Sequence, residues 1–444
     1  MNVLLMLLAL SGDPDLAGRW EVTTTYPGGS FVAGLDLQKD ASGKFTGKSG
    51  YLVPDGFFYS YSGTLEKGTL QLQILQPDGT TSMGSLALKA KGKELIGTGT
   101  IRQVPVTVSA RRPLPRPAAP RVIDFEPKVF YHNFTVTNPP ALRIFPGDTV
   151  RTSTVDAMGG GKDSSQRSLP GNRQTGPFYI EGAMIGDTVA VHFSRIRPNR
   201  DSAFQYRASI SEVALPPGYP QQPRDAWSWL WKIDRERLVA TPVDPSEKLK
   251  RLEVKLVPML GVVGVAPYWD QAISAGHLGQ FGGNLDYNQI REGVTVYLPV
   301  YQAGALLGMG DGHALQGDGE ITGQGLETSM DVEFTVDLIP GHLMDQPWLE
   351  NDEYVMAAGV GGSLTEALQR ATGGLSNWLR AYYLLDTSEI ATVLPNAIRY
   401  DVAEVVDGEV NVVAKIRKET LAQLPKPERP KSVFCRQGGG CLLN

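Results

Sequence analysis

From Gly18 to Arg111 apolar and polar residues alternate in short runs: Arg19 to Val22, Phe31 to Leu37, Lys44 to Thr46, Phe57 to Tyr61, Leu70 to Leu75, Ser85 to Leu88, Leu95 to Ile101 and Val106 to Val108. A period of two sends successive side chains to opposite faces of an extended chain, so each run predicts a strand with one buried face. Turn triplets such as Ala41-Ser42-Gly43, Glu66-Lys67-Gly68 and Pro77-Asp78-Gly79 separate the runs. Short, evenly spaced strands joined by tight turns predict a meander that closes into a small antiparallel barrel. This stretch holds no cluster of His and carboxylates, which points to an accessory role, with a ligand in the barrel mouth as the alternative.

Between Arg111 and Pro120 four of the ten positions are proline (Pro113, Pro115, Pro117, Pro120). Proline lacks the backbone donor and fixes an extended path, so the segment reads as a linker. Beyond it the pattern is again mainly β up to about Pro427, with one helical interlude. Ser363 with Glu366, and Asp386 with Glu389, carry the spacing of capping boxes ahead of apolar helical stripes. Trp378, Tyr382 and Tyr383 lie at helical spacing and are expected in a core. Tyr400 to Ile416 reads as a hairpin completing a sheet. The predicted fold class is mainly β, a β-rich α+β chain. It comprises a barrel at 12–112, a proline-rich linker at 113–127, a β-sandwich-type domain with a few helices at 128–428, and a Gly/Cys tail at 429–444.

A chain of 444 residues exceeds the size at which one core stops growing, which agrees with two domains. Its net charge of −5, from 42 basic and 47 acidic residues, offers no field to collect phosphates, so nucleic acid is not expected as a partner. The apolar run Val3 to Leu10 with Ala9-Leu10-Ser11 predicts a signal peptide at 1–11 and an exported, periplasmic or extracellular protein; read as a first strand, it would leave the protein cytoplasmic. No later run approaches the ~20 apolar residues that span a bilayer. Cys435 and Cys441 are the only cysteines, too few for a thiolate zinc site; they form either a short disulfide loop or two free thiols.

The densest polar constellation is Gly308-Met309-Gly310-Asp311-Gly312-His313-Ala314-Leu315-Gln316-Gly317-Asp318-Gly319-Glu320. In extended chain Asp311 pairs with His313 and Asp318 with Glu320, so four potential ligands are expected to converge across one turn. An imidazole with carboxylates suits Zn²⁺ or a similar divalent ion and leaves a place for water. The bland alternative is a glycine-rich hairpin with solvated acids. Asp156 in Val155-Asp156-Ala157, Asn284 and Asp286 in Gly282-Gly283-Asn284-Leu285-Asp286, and His132 are further candidates. His192 alternates with apolar neighbours and reads as structural, while His277 and His342 have no supporting spacing. Nucleophilic catalysis finds no Gly-x-Ser-x-Gly elbow, and both cysteines sit in the tail.

The order of several blocks resembles the acetamidase/formamidase family. Asn138-Pro139-Pro140-Ala141-Leu142 and Pro146-Gly147-Asp148-Thr149-Val150 are followed by Asp156-Ala157, Thr175-Gly176-Pro177, Glu181-Gly182-Ala183 and Gly186-Asp187-Thr188. Then come Gly261 to Pro267, Gly282 to Asp286, Tyr297-Leu298-Pro299-Val300, and the run from Gly310 to Glu320. The resemblance covers most of 129–420 and leaves out the barrel, the linker and the tail; Lys162 to Arg173 reads as an insertion. It implies a β-rich core that hydrolyses a small carboxamide to carboxylate and ammonia at a bound metal, most simply zinc, within a homo-oligomer. His313 with Asp156 and with Asp311 or Asp318 would hold the ion, and Glu320 or Glu181 would shuttle the proton. His132, Asn284, Asp286 and Gln316 would contact substrate or orient the ligands. The competing reading is an exported, non-catalytic binding module with a structural metal.

Overall fold

The computed structural model describes residues 15–50, 58–76, 78–205, 209–220, 229–341 and 344–425. The expected signal peptide, the cysteine tail and His342 lie outside these residues. The chain divides at Leu114/Pro115 into two compact units.

In the first unit eight antiparallel strands form a closed barrel: β1 (Gly18–Tyr26), β2 (Gly29–Lys39), β3 (Lys44–Gly50), β4 (Phe58–Glu66), β5 (Thr69–Leu75), β6 (Ser82–Lys91), β7 (Glu94–Ile101) and β8 (Val104–Arg111). Closure comes from β1 pairing with β8, where Glu21 stands opposite Arg111 and the two side chains meet at 2.6 Å. The two-residue period sends Trp20, Leu35, Leu37, Phe45, Leu70, Leu72, Ile74, Leu88 and Val108 inward. Eight strands is the size at which side chains fill the interior, and these form one apolar cluster. Each such burial stabilises the fold by ~1.5–3 kcal/mol.

The second unit is built on two large sheets. One has nine strands in the order Arg399–Glu404, Val410–Arg417, Tyr354–Gly361, Trp348–Glu350, Thr295–Pro299, Thr188–Pro198, Met330–Ile339, Thr149–Ser153, Val122–Asp124. The other has six, in the order Leu142–Ile144, Gln174–Ile180, Leu307–His313, Met259–Gly264, Gly282–Asn284, Leu278–Gly279. Phe178 of the six-stranded sheet meets Phe334 of the nine-stranded sheet edge-on at 5.1 Å, which makes the arrangement a sandwich.

Two helices, α1 (Leu364–Tyr383) and α2 (Thr387–Ala397), pack on the nine-stranded sheet. Ala371, Leu375, Trp378 and Leu379 of α1 share a core with Ala357, Ala414 and Ile416. Both N-caps form, but only the second is a full capping box, since the Glu366 carboxylate accepts from the Gly362 amide rather than from Ser363. Ser363 accepts from the Glu366 amide, and Asp386 and Glu389 exchange side-chain to backbone bonds at 2.8 Å. Trp378 and Tyr382 stack at 5.2 Å inside this core, as their spacing predicts.

Candidate metal centre

The strand Leu307–His313 is buried at every position. Its alternation brings Asp311 and His313 to one face, with His313 Nε2 3.6 Å from Asp311 Oδ1. Asp286 arrives from the turn after Gly282–Asn284, its Oδ1 3.7 Å from His313 Nδ1. Glu327 Oε1 lies 3.2 Å from Nε2. These atoms belong to two overlapping groups, Asp286/Asp311/His313 and His313/Glu320/Glu327, each with its ligand atoms within 4.8 Å of one another.

Two backbone features make this crowding possible. Gly261, beside Asp311 on the neighbouring strand, has no Cβ; one built there would collide with the Asp286 and Asp311 carboxylates. Asp286, Asp311 and Glu320 all hold left-handed backbone, with φ of 39°, 54° and 45°. Such a conformation costs a non-glycine residue on the order of 1 kcal/mol or more, and strain of this kind concentrates at functional sites.

The imidazole is oriented by Gln316. Its Nε2 donates to the carbonyls of Asp286 (2.6 Å) and Ala403 (3.3 Å), so its Oε1, 2.8 Å from His313 Nδ1, must accept. That fixes the proton on Nδ1 and turns Nε2 toward Asp311 and Glu327.

Electrostatically the cluster is short of positive charge. Burial, followed by repulsion among the acids, pushes Asp286 and Glu320 well above the ordinary carboxylate range; burial also raises Glu327. Burial opposes a charged imidazole, but Glu327 and Asp311 outweigh it and hold His313 well above its usual value. Both Asp286 oxygens, Asp311 Oδ1 and Glu327 Oε2 are buried and make no hydrogen bond among the described residues. Unpaired buried oxygens cost free energy that a divalent cation would offset, and one imidazole nitrogen with carboxylate oxygens is a donor set such an ion accepts. The residues present therefore fit a metal.

Around the acids runs a further layer. Asn172 Nδ2 donates to Asp311 Oδ2 (3.0 Å) and Asn284 Oδ1 (3.2 Å), and Asn284 Nδ2 donates to Asp407 Oδ2 (2.7 Å). Burial raises Asp407, and raises Glu404 to about 8. Glu404 Oε2 accepts from the amides of Val406 and Asp407, shaping the turn that carries Asp407.

Of the residues read from the sequence, His313, Asp311, Asp286 and Glu320 come together, with Gln316 and Asn284 against them. Asp156, Asp318 and Glu181 fall outside both groups. Asp156 is saturated by the amides of Met158 and Gly160 (2.9 Å each) and by Arg200 at 2.6 Å. Glu181 pairs with Arg143 at 2.8 Å. Asp318 and Glu320 do not share a face as an extended chain would require. Asp318–Glu320 is a 3₁₀ turn with Gly319 at φ 80°, leaving Asp318 exposed on Asn288 and Glu320 buried. His132 is exposed, its Nδ1 2.7 Å from the Gly171 carbonyl oxygen. Glu327, Asn172, Asp407 and Glu404 were not singled out. Glu327 had a local signal, an acid directly after Leu326 and before an alternating strand; the others had none.

The model of the Acetamidase/Formamidase family matches residues 275–357, which include Asp286, Asp311, His313, Glu320 and Glu327. Among solved structures, a predicted acetamidase/formamidase from Thermoanaerobacter tengcongensis is similar at 25% identity with a TM-score of 0.60, covering 69% of this chain and 99% of that one. An acetamidase from Yersinia enterocolitica matches at 28% and 0.60, covering 68% and 94%. One from Bacillus halodurans matches at 26% and 0.59, covering 68% and 99%. No protein of curated function matches. The family match and the neighbours agree with the resemblance carried by the sequence blocks.

Proposed function

We propose that the second unit is a metal-dependent hydrolase of small linear carboxamides, releasing carboxylate and ammonia. The observation that carries this reading is the group of four buried carboxylates around His313, with oxygens left unpaired among the described residues and a single imidazole to set against them. The family match and the similar acetamidases support an amidase acting on carbon–nitrogen bonds other than peptide bonds.

His313 Nε2, Asp311, Asp286 and Glu327 would hold the ion, with zinc the best suited to mixed nitrogen and oxygen donors. When bound, a divalent ion supplies Lewis-acid polarisation of the amide carbonyl and acidifies water. The chain's own residues do the rest. Gln316 keeps the imidazole tautomer, and Asn172 holds Asp311 in place. Glu320, buried in its strained turn, is pushed well above the ordinary carboxylate range by burial and by the neighbouring acids. An amide's leaving nitrogen must be protonated as its bond breaks, and Glu320 is the acid suited to that proton transfer. Glu181, neutralised by Arg143, is not. A homo-oligomer stands on the family resemblance alone.

Metal analysis of the purified full-length protein, with ammonia release from formamide, acetamide and propionamide before and after chelation, tests the reading. Stoichiometric divalent metal and ammonia release that chelation abolishes and metal restores are expected. Metal-loaded protein that releases no ammonia from any of them would overturn it.

A further inference from the structure

Asn172, Asn284 and Asp407 form a hydrogen-bonded chain that ends on Asp311, and the proposed reaction leaves one of its atoms unused. The chain is bracketed by carboxylates, and that fixes its polarity. Asp407 Oδ2 accepts, so Asn284 must present its NH₂ to it and its carbonyl oxygen to Asn172. Asn172 must then turn its NH₂ toward Asn284, and the same nitrogen faces Asp311 Oδ2, again an acceptor. Both hydrogens of Asn172 Nδ2 are taken. Among the described residues no donor meets its Oδ1, which is left as a pure acceptor on the amide whose nitrogen lies 3.0 Å from Asp311 Oδ2.

The fold holds this carboxamide in place. Asn172 is half-buried and sits at φ 46°, a left-handed conformation that Asn tolerates better than most residues. The preceding Gly171 donates its amide to Ala157 O, and its carbonyl lies 2.7 Å from His132 Nδ1. A Cβ on Gly171 would stand 2.8 Å from the His132 ring. His132 and the Asp156 turn, which do not join the acid cluster, thus brace the loop that carries Asn172.

We propose that Asn172 Oδ1 is the acceptor for the substrate's amide N–H, and so the residue that selects primary carboxamides over esters and N,N-dialkylated amides. This rests on the amidase reading of the site. A primary amide brings two N–H donors, one for the acceptor fixed here. An ester of the same acyl group brings only oxygen lone pairs and leaves that acceptor unpaired. Sites built to hydrogen-bond a substrate N–H reject analogues lacking it, because the unmet polar group costs free energy. Asp407 is a positioning residue in this scheme: it acts through Asn284 by forbidding the flip that would turn Asn172 around.

The test uses full-length, metal-loaded protein and compares kcat/KM for acetamide, N,N-dimethylacetamide and methyl acetate, with metal content measured alongside. Asn172→Gly suits the left-handed backbone and removes the acceptor. It should lower the ratio of the acetamide to the methyl acetate value ~10–100-fold, while any loss from the missing contact to Asp311 lowers both values together and shows in the metal content. Asp407→Asn, which lets Asn284 flip, should move the amide-to-ester ratio in the same direction, mainly through KM. Amide and ester rates falling in parallel, with or without loss of metal, would show that Asn172 only steadies Asp311 and would overturn the proposal while leaving the amidase reading standing. A parent protein inert toward acetamide would overturn both.

Discussion

Gln316 Oε1 lies 2.8 Å from His313 Nδ1, and because both hydrogens on Gln316 Nε2 go to backbone carbonyls, this oxygen can only accept. The relationship makes Nε2 the free nitrogen of the imidazole. Gln316→Leu should lower metal affinity by ~10–100-fold, the usual scale for losing a residue that orients a metal ligand. Gln316→Glu keeps an acceptor at Nδ1 and should recover part of that loss. Metal titrations of both variants decide the point; equal affinity in Gln316→Leu and the parent would show that the tautomer is held elsewhere.

His313 and Glu320 should separate metal binding from proton transfer. His313→Ala removes the only nitrogen donor in either group and should reduce metal occupancy and amide turnover together. Glu320→Gln should keep the metal and lower kcat by ~10²-fold or more, the scale of general acid–base catalysis. Metal analysis beside ammonia release distinguishes the two. Parallel loss of metal and rate in Glu320→Gln would make Glu320 a ligand.

Glu404 makes stability depend on pH in a definite direction. Burial, then the Asp407 charge, raises it from the ordinary 4.5 to about 8. The folded chain therefore binds this proton more tightly than the unfolded chain. Its stabilising contribution is complete below about pH 4.5 and is lost as pH rises through about 8. Glu404→Gln removes the titration, so the variant should match the parent near pH 5 and exceed it at pH 9 by an amount on the order of a few kcal/mol. Tm measured in chelator across that range should show a gap widening with pH. Parallel curves would mean that Glu404 is not buried as an acid.

The second unit should stand without the barrel. The chain divides into two compact units at Leu114/Pro115, and proline recurs through the joining segment. A chain beginning at Pro115 should be soluble, unfold cooperatively and bind metal with the affinity of the full protein. Aggregation of that chain would make the barrel part of the core's folding.

The residue pattern by itself determined the barrel strands, both helix caps and the pairing of Asp311 with His313, because each depends on contacts a few positions apart along the chain or on a period of two. The family blocks also drew attention to Asn284, Asp286, Gln316 and Glu320, all of which reach the site. What local pattern could not carry was the fate of each charge. Asp156 and Glu181 look no different from Asp286 in sequence, yet Arg200 and Arg143, brought in by the fold, pair with the first two, while among the described residues both oxygens of the third are left without a hydrogen bond. Asp318 was misplaced because a left-handed Gly319 turns the chain and breaks the two-residue period. Glu327, Asn172 and Asp407 come from segments far apart in sequence. Only tertiary structure decides which carboxylates meet a cation and which are left facing one another, since that depends on which strands lie side by side.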